Sequence, residues 1–185
     1  MISISRFFHK ISTGKVTLAA TVLFILFSIL VLPKQSTSSS AGEPVDSPDL
    51  SFYYTKDDLY RMANDYGEQG RIKYIQQRFS FDIIWPVVYG LFLVTAISWL
   101  SSQSFIDSRI ALYGNLIPLL GVIFDFLENL STSLVIYRFP SRTSIVDTLA
   151  PIITTTKWIF IASSFIILLV YFIVWITTKL RGSQK

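Results

Sequence analysis

Residues 110–136 read IALYGNLIPLLGVIFDFLENLSTSLVI. This stretch decides the fold. It is long and apolar enough to cross a bilayer, because about 20 residues at 1.5 Å each span a hydrocarbon core. Yet it carries two acids, Asp125 and Glu128, and an amide, Asn129. Ionisable groups inside a span are costly and need a reason. The spacings i, i+3 and i+4 put all three on one helical face. Gly114, Pro118 and Gly121 precede them on that face and Thr132 follows. A stripe of small and polar residues is what a membrane helix turns toward other helices rather than toward lipid. The sequence therefore predicts a helical bundle with a polar interior.

The rest of the chain fits that reading. Of its 185 residues 51% are apolar and only 15% are charged, against roughly 25% charged in a soluble domain. A soluble globular domain and a disordered chain are both excluded. Residues 82–101 (DIIWPVVYGLFLVTAISWLS) form a second candidate span, and a fourth lies within 151–178. Trp85 and Trp99 bracket the former, Trp158 and Trp175 the latter. Residues 158 and 175 stand about 26 Å apart on a helix, close to the thickness of a hydrocarbon core. Residues 16–33 are the first span, read as an uncleaved signal-anchor; Ser39 and Ala41 would suit a signal peptidase if the segment were instead removed. Four transmembrane helices in an all-α polytopic membrane protein are expected.

Between the first two spans, residues 34–54 are rich in Ser, Pro and acids and read as a linker. Thr55 opens T-K-D-D, the spacing of a capping box. Residues 55–80 then read as one kinked or two short amphipathic helices, interrupted at Gly67 and Gly70. They are expected to lie on the extracytoplasmic membrane surface or to cap the bundle. Residues 1–15 form a basic tail with Arg6, Lys10 and Lys15; residues 179–185 form another with Lys179, Arg181 and Lys185. These flanks place both ends in the cytoplasm by the positive-inside rule. Summed over all segments, seven Lys and Arg fall inside and nine outside, so the orientation rests on the two end helices.

Several function classes are excluded by residue type. Cysteine is absent and the one histidine, His9, lies in the N-terminal tail. Thiolate chemistry, histidine triads and two-histidine haem are therefore ruled out, and no metal or cofactor is expected. The net charge of +4 goes with membrane topology and not with nucleic acid, since no basic–aromatic module is present.

The candidate site is a polar column. Asp82, Pro86 and Tyr89 share a face of the second span. Pro86 has no N–H, which frees the Asp82 carbonyl. Depth makes Tyr89 a better partner for the acids than Asp82. Lys157 adjoins Trp158 at the rim, where a long side chain can snorkel to the interface. The column runs from Arg71, Tyr74 and Arg78, past Asp82 and Lys157, to Tyr89, Asn129, Glu128 and Asp125. Asp125 and Glu128 are its acidic, candidate catalytic centre; the other residues are candidate ligand contacts. Asp82 as a helix cap, and Arg71 and Arg78 on lipid phosphates or loop acids, are the plainer alternatives.

The succession G-R-x-x-Y (Gly70 to Tyr74), D-x-x-x-P-x-x-Y (Asp82 to Tyr89), D-x-x-E-N (Asp125 to Asn129) and Lys157-Trp158 resembles an uncharacterised group of small four-helix bacterial integral membrane proteins. The resemblance covers about residues 55–160. It implies a four-helix fold, the bacterial inner membrane, and a joint role for these positions. It implies no activity. The leading functional expectation is a site opening to the outer leaflet that binds or transforms a lipid or small amphipathic molecule, with membrane lipids as partners. The alternative is an accessory subunit, without a ligand, whose network serves a protein partner. Proton or ion translocation ranks third, because the acids do not continue past Asn115, Thr95 and Ser98 to the other side.

Overall fold

The computed structural model describes residues 2–31, 46–103 and 113–182. They form seven α-helices: α1 (Ile2–Ile11), α2 (Gly14–Leu30), α3 (Lys56–Asp65), α4 (Gly67–Arg78), α5 (Phe81–Gln103), α6 (Ile117–Arg138) and α7 (Val146–Gly182). Single 3₁₀ turns stand at Pro48–Leu50 and Gly114–Leu116, and no strand occurs among the described residues. Three stretches are long and apolar enough to cross a membrane: Gly67–Gln103, Gly114–Arg138 and Val146–Arg181. The α1–α2 pair, bent by 88°, is a fourth if its two arms count as one span.

Local chemistry sets the helix ends. Thr55 and Asp58 close a full capping box at the start of α3, which satisfies two otherwise orphaned N–H groups. Gly67 takes φ 61° between α3 and α4, a left-handed conformation that glycine adopts without Cβ strain. Thr13 caps α2, and Pro118 sits in the first turn of α6, where a missing N–H costs nothing.

The α6–α7 pair is the spine, and α5 packs on both. Its register is antiparallel and even. Gly114 lies against Tyr171, and fourteen residues along each helix Glu128 meets Lys157. The two contacts are therefore about 21 Å apart along the spine. Gly121 admits Ile161 of α7, and Gly90 of α5 sits where a Cβ would come within 2.5 Å of Val122 on α6. Helix α2 packs on α5 through stacked rings, Phe24 on Phe92 and Phe27 on Phe81 and Trp85.

Two ends can be told apart. At one, α3, α4 and the ends of α6 and α7 enclose Leu59, Met62, Ala63, Tyr74, Val135, Ile136 and Ala150. Residues 46–54 cross this end as a strap, with Thr155 donating to the Phe52 carbonyl (3.2 Å) and Tyr66 to that of Asp46 (2.9 Å). Burial pushes the Tyr66 phenol up to about 12. At the other end, α1 packs on α5 and on the Gly114–Leu116 turn.

Two expectations change. The basic tail 1–15 contains a helix: α1 docks through its buried Ser5, and Ser12 is buried just past its end. The part of the 34–54 linker that is described, 46–54, is pinned to the bundle; residues 34–45 lie outside the described residues. Helix α4 packs on α6 and runs on into α5 within the 37-residue stretch Gly67–Gln103. Helix α7 also has 37 residues, about 55 Å against a core of about 30 Å. Both project beyond the apolar zone, and α3 and α4 bury their apolar residues against the projecting parts. The segment between α5 and α6 at 104–112 lies outside the described residues.

Candidate functional site

The polar column is assembled at the strap end. Arg78, the last residue of α4, is buried and bridges two acids. Its Nη2 meets Asp49 at 3.1 Å and its Nη1 meets Asp82 at 3.0 Å. Its guanidinium also lies 4.6 Å from the centre of the Tyr74 ring, a favourable cation–π geometry. Tyr74 donates to Thr132 at 3.1 Å, and Thr132 in turn donates to the Glu128 carbonyl at 2.8 Å.

Pro86 has a direct structural consequence. With no N–H at position 86, the Asp82 carbonyl lacks its helical donor. Asn129 Nδ2 supplies one at 3.0 Å, so an amide on α6 repairs a gap in α5. One turn further along α5, Tyr89 donates to Asp125 Oδ2 at 3.0 Å.

Lys157 does not snorkel. It is 4% exposed, Glu128 is 1% exposed, and the ammonium is ion-paired to Glu128 Oε2. It also lies 4.9 Å from the Trp158 ring centre. Nearby, the Tyr54 and Thr154 hydroxyls are 3.0 Å apart, and the Thr154 hydroxyl lies 3.1 Å from the Ala150 carbonyl. Asp125 lies one helical turn from Glu128 on α6, toward the α1 end.

Asp49 was hidden in a segment that reads as linker. The turn Ser47-Pro48-Asp49 carries the one available signal, a serine and a proline that initiate a turn before an acid. The Ser47 hydroxyl donates to the carboxylate. Burial would push the Asp49 carboxyl up, but Arg78 and the Ser47 hydroxyl outweigh that and hold it below the ordinary 3.8. Arg71, by contrast, stays outside the network. It donates to the Ala63 carbonyl at 3.1 Å, satisfying an orphan acceptor near the end of α3, and lies 4.9 Å from the Phe139 ring centre.

Among the buried polar atoms around this centre without a hydrogen-bond partner are Arg78 Nε, Glu128 Oε1 and Asn129 Oδ1, and Trp158 Nε1 beside Lys157 is another. The first three offer one donor and two acceptors. No cluster of metal-ligating side chains occurs among the described residues. Two cavities are found elsewhere. One, of about 400 Å³, lies between the strap and α7, beside Tyr54 and Thr155. The other, of about 500 Å³, lies between α2, α5 and α7 toward the α1 end.

A second polar knot marks the α1 end. Asn115 Nδ2 reaches Ser98 Oγ at 2.9 Å and the Ser5 carbonyl at 3.1 Å, with His9 Nδ1 at 3.0 Å. The sequence reading named Asn115 and Ser98 as isolated polar residues; the fold brings Ser5 and His9 of α1 to them. Comparison of the chain with protein-family models, with curated proteins and with solved structures finds no match.

Proposed function

We propose that the chain is a four-span integral membrane protein of the bacterial inner membrane that binds or transforms a lipid or small amphipathic molecule at the strap end. Both termini are cytoplasmic in this reading, and α3, α4 and the strap lie on the outer side. The basic residues Arg6, Lys10, Lys15, Lys179 and Arg181 belong to elements at the α1 end, which agrees with that orientation. The observation that carries the functional reading is the trio of buried unpartnered atoms, Arg78 Nε, Glu128 Oε1 and Asn129 Oδ1. Leaving a buried polar group unmatched costs about 1–3 kcal/mol. A headgroup carrying an acceptor for Arg78 and a hydroxyl or amine donor for the two oxygens would recover that cost. Asp125 and Glu128 are the residues able to accept or hold a proton there, and Tyr89 orients Asp125.

Native mass spectrometry of the protein drawn gently from its own membrane, beside Glu128→Gln, tests this. A discrete bound mass in the native protein that is lost from a folded variant supports the reading. Retention in folded Glu128→Gln of every mass bound to the native protein refutes it, since a ligand held at the α1 end alone would survive the change.

One observation favours the accessory-subunit reading. Arg78, Asp49, Asp82, Lys157 and Glu128 all have an opposite charge within the chain. On that reading Asp125→Asn alters complex assembly and leaves no bound small molecule to lose.

A further inference from the structure

The groove at the α1 end is unrelated to the polar centre and has chemistry of its own. It holds about 500 Å³, within the range of sites for small ligands. Its walls are apolar: Ala96 and Trp99 of α5, Phe165, Leu168 and Trp175 of α7, with Thr17 of α2. Phe165, Leu169 and Phe172 are exposed along its edge, so it opens sideways, as a slot for a chain entering from lipid would.

Its end toward α1 is polar and positive. Trp99 packs against the N-terminus of α2, with its indole nitrogen 3.4 Å from where a Cβ on Gly14 would stand. Lys15 follows, within one turn of Thr17 and in the first turn of α2. There the helix dipole and free N–H groups favour an anion. The Trp175 indole nitrogen is buried and without a partner. Its ring is tilted 52° to that of Trp99, with centroids 5.8 Å apart. Helix α1, turned 88° from α2, adds Arg6 and Lys10, and exposes Ile4, Phe7 and Ile11 along one face. That is the build of a helix lying in a membrane interface. The chain has no acid in residues 1–42 or 157–185; the 104–112 segment holds one acid and one base, Asp107 and Arg109.

We propose that this groove is a binding site for an anionic glycerophospholipid. An acyl chain occupies the slot between α2, α5 and α7. The phosphate sits at the α2 N-terminus with Lys15 and Lys10, and the Trp175 N–H donates to an ester carbonyl at the glycerol level.

The test is native mass spectrometry of the full chain in micelles holding equal amounts of phosphatidylglycerol and phosphatidylcholine with identical acyl chains. The native protein is expected to retain phosphatidylglycerol over phosphatidylcholine by about tenfold. Lys10→Gln/Lys15→Gln, at two exposed positions, is expected to bring the ratio close to one. Ala96→Phe, which fills the slot, is expected to lose both lipids. Equal retention of the two lipids by the native protein overturns the proposal, as does an unchanged ratio in the lysine variant. Undiminished lipid in folded Ala96→Phe overturns it too. A dimer carrying no lipid would assign the groove to a second copy of the chain and reject the lipid.

Discussion

At the strap end, Arg78, Asp49, Asp82, Lys157 and Glu128 are charges paired out of solvent. At the α1 end, Asn115, Ser98, Ser5 and His9 join through an amide, a hydroxyl, a backbone carbonyl and an imidazole, with an apolar groove beside them. The same three long helices run through both. The difference follows from what covers each end. Helices α3 and α4 and the strap enclose the projecting ends of α6 and α7, so charges there lose water and must find each other. At the α1 end a single helix bends across, basic residues stay exposed, and only a few polar groups need internal partners.

The comparison can be broken most forcefully at Lys157. Lys157→Met leaves the Glu128 carboxylate buried and unpaired, which is expected to cost about 3–5 kcal/mol. Thermal unfolding in detergent should show the loss, and Lys157→Met/Glu128→Gln should recover most of it. A single variant as stable as the native protein would mean that the strap end is wetter than its burial indicates.

Gly90 tests the seam that joins the ends. A Cβ there meets a stiff branched side chain at 2.5 Å, so Gly90→Ala is expected to cost about 1–3 kcal/mol despite the better helix propensity of alanine. Val122→Ala in the same chain should relieve it. At the α1 end, Asn115→Ala is expected to cost about 1–2 kcal/mol, through loss of the buried bonds from its amide to Ser98 Oγ and the Ser5 carbonyl. Hydrogen exchange should then rise in α1 and not in α3. If Asn115→Ala costs as much as Lys157→Met, the contrast between the two ends fails.

The smallest effect concerns the strap. The folded Asp49 carboxyl is held below its ordinary 3.8. Its contribution is therefore fully present above that value and is lost as pH falls through the lower folded value. Amide protection factors over residues 46–54, which remove the intrinsic pH dependence of exchange, should be constant from neutral pH down to about 4 and fall below it. Asp49→Asn should raise exchange at neutral pH and flatten the acid dependence.

Much of the site was legible before any coordinates. Asp125, Glu128 and Asn129 declare a shared face by spacing, and Pro86 announces an unsatisfied carbonyl at Asp82. Which group would repair it was not legible, because Asn129 lies 47 residues away on another helix. Asp49 was invisible for the same reason: it lies in a polar, Pro-rich stretch, and nothing near it in sequence names Arg78. The burial of Lys157 was misjudged because a lysine beside a tryptophan at a span end usually reaches water; here Glu128 of α6 pairs with it inside the bundle. Helix α1 was missed because ten residues carry too few periods to separate a helix from a basic tail.

By itself the sequence determined that the chain is helical with stretches long and apolar enough to cross a membrane, which helical faces are polar, and where α3 begins and breaks. Those follow from hydropathy, period and capping, which act over neighbouring residues. The tertiary structure alone decided that Asp49 meets Arg78, that Glu128 meets Lys157, and that α1 closes the opposite end. Those are contacts between residues 29 to 110 positions apart, and only the packing of the helices brings such residues within hydrogen-bond reach.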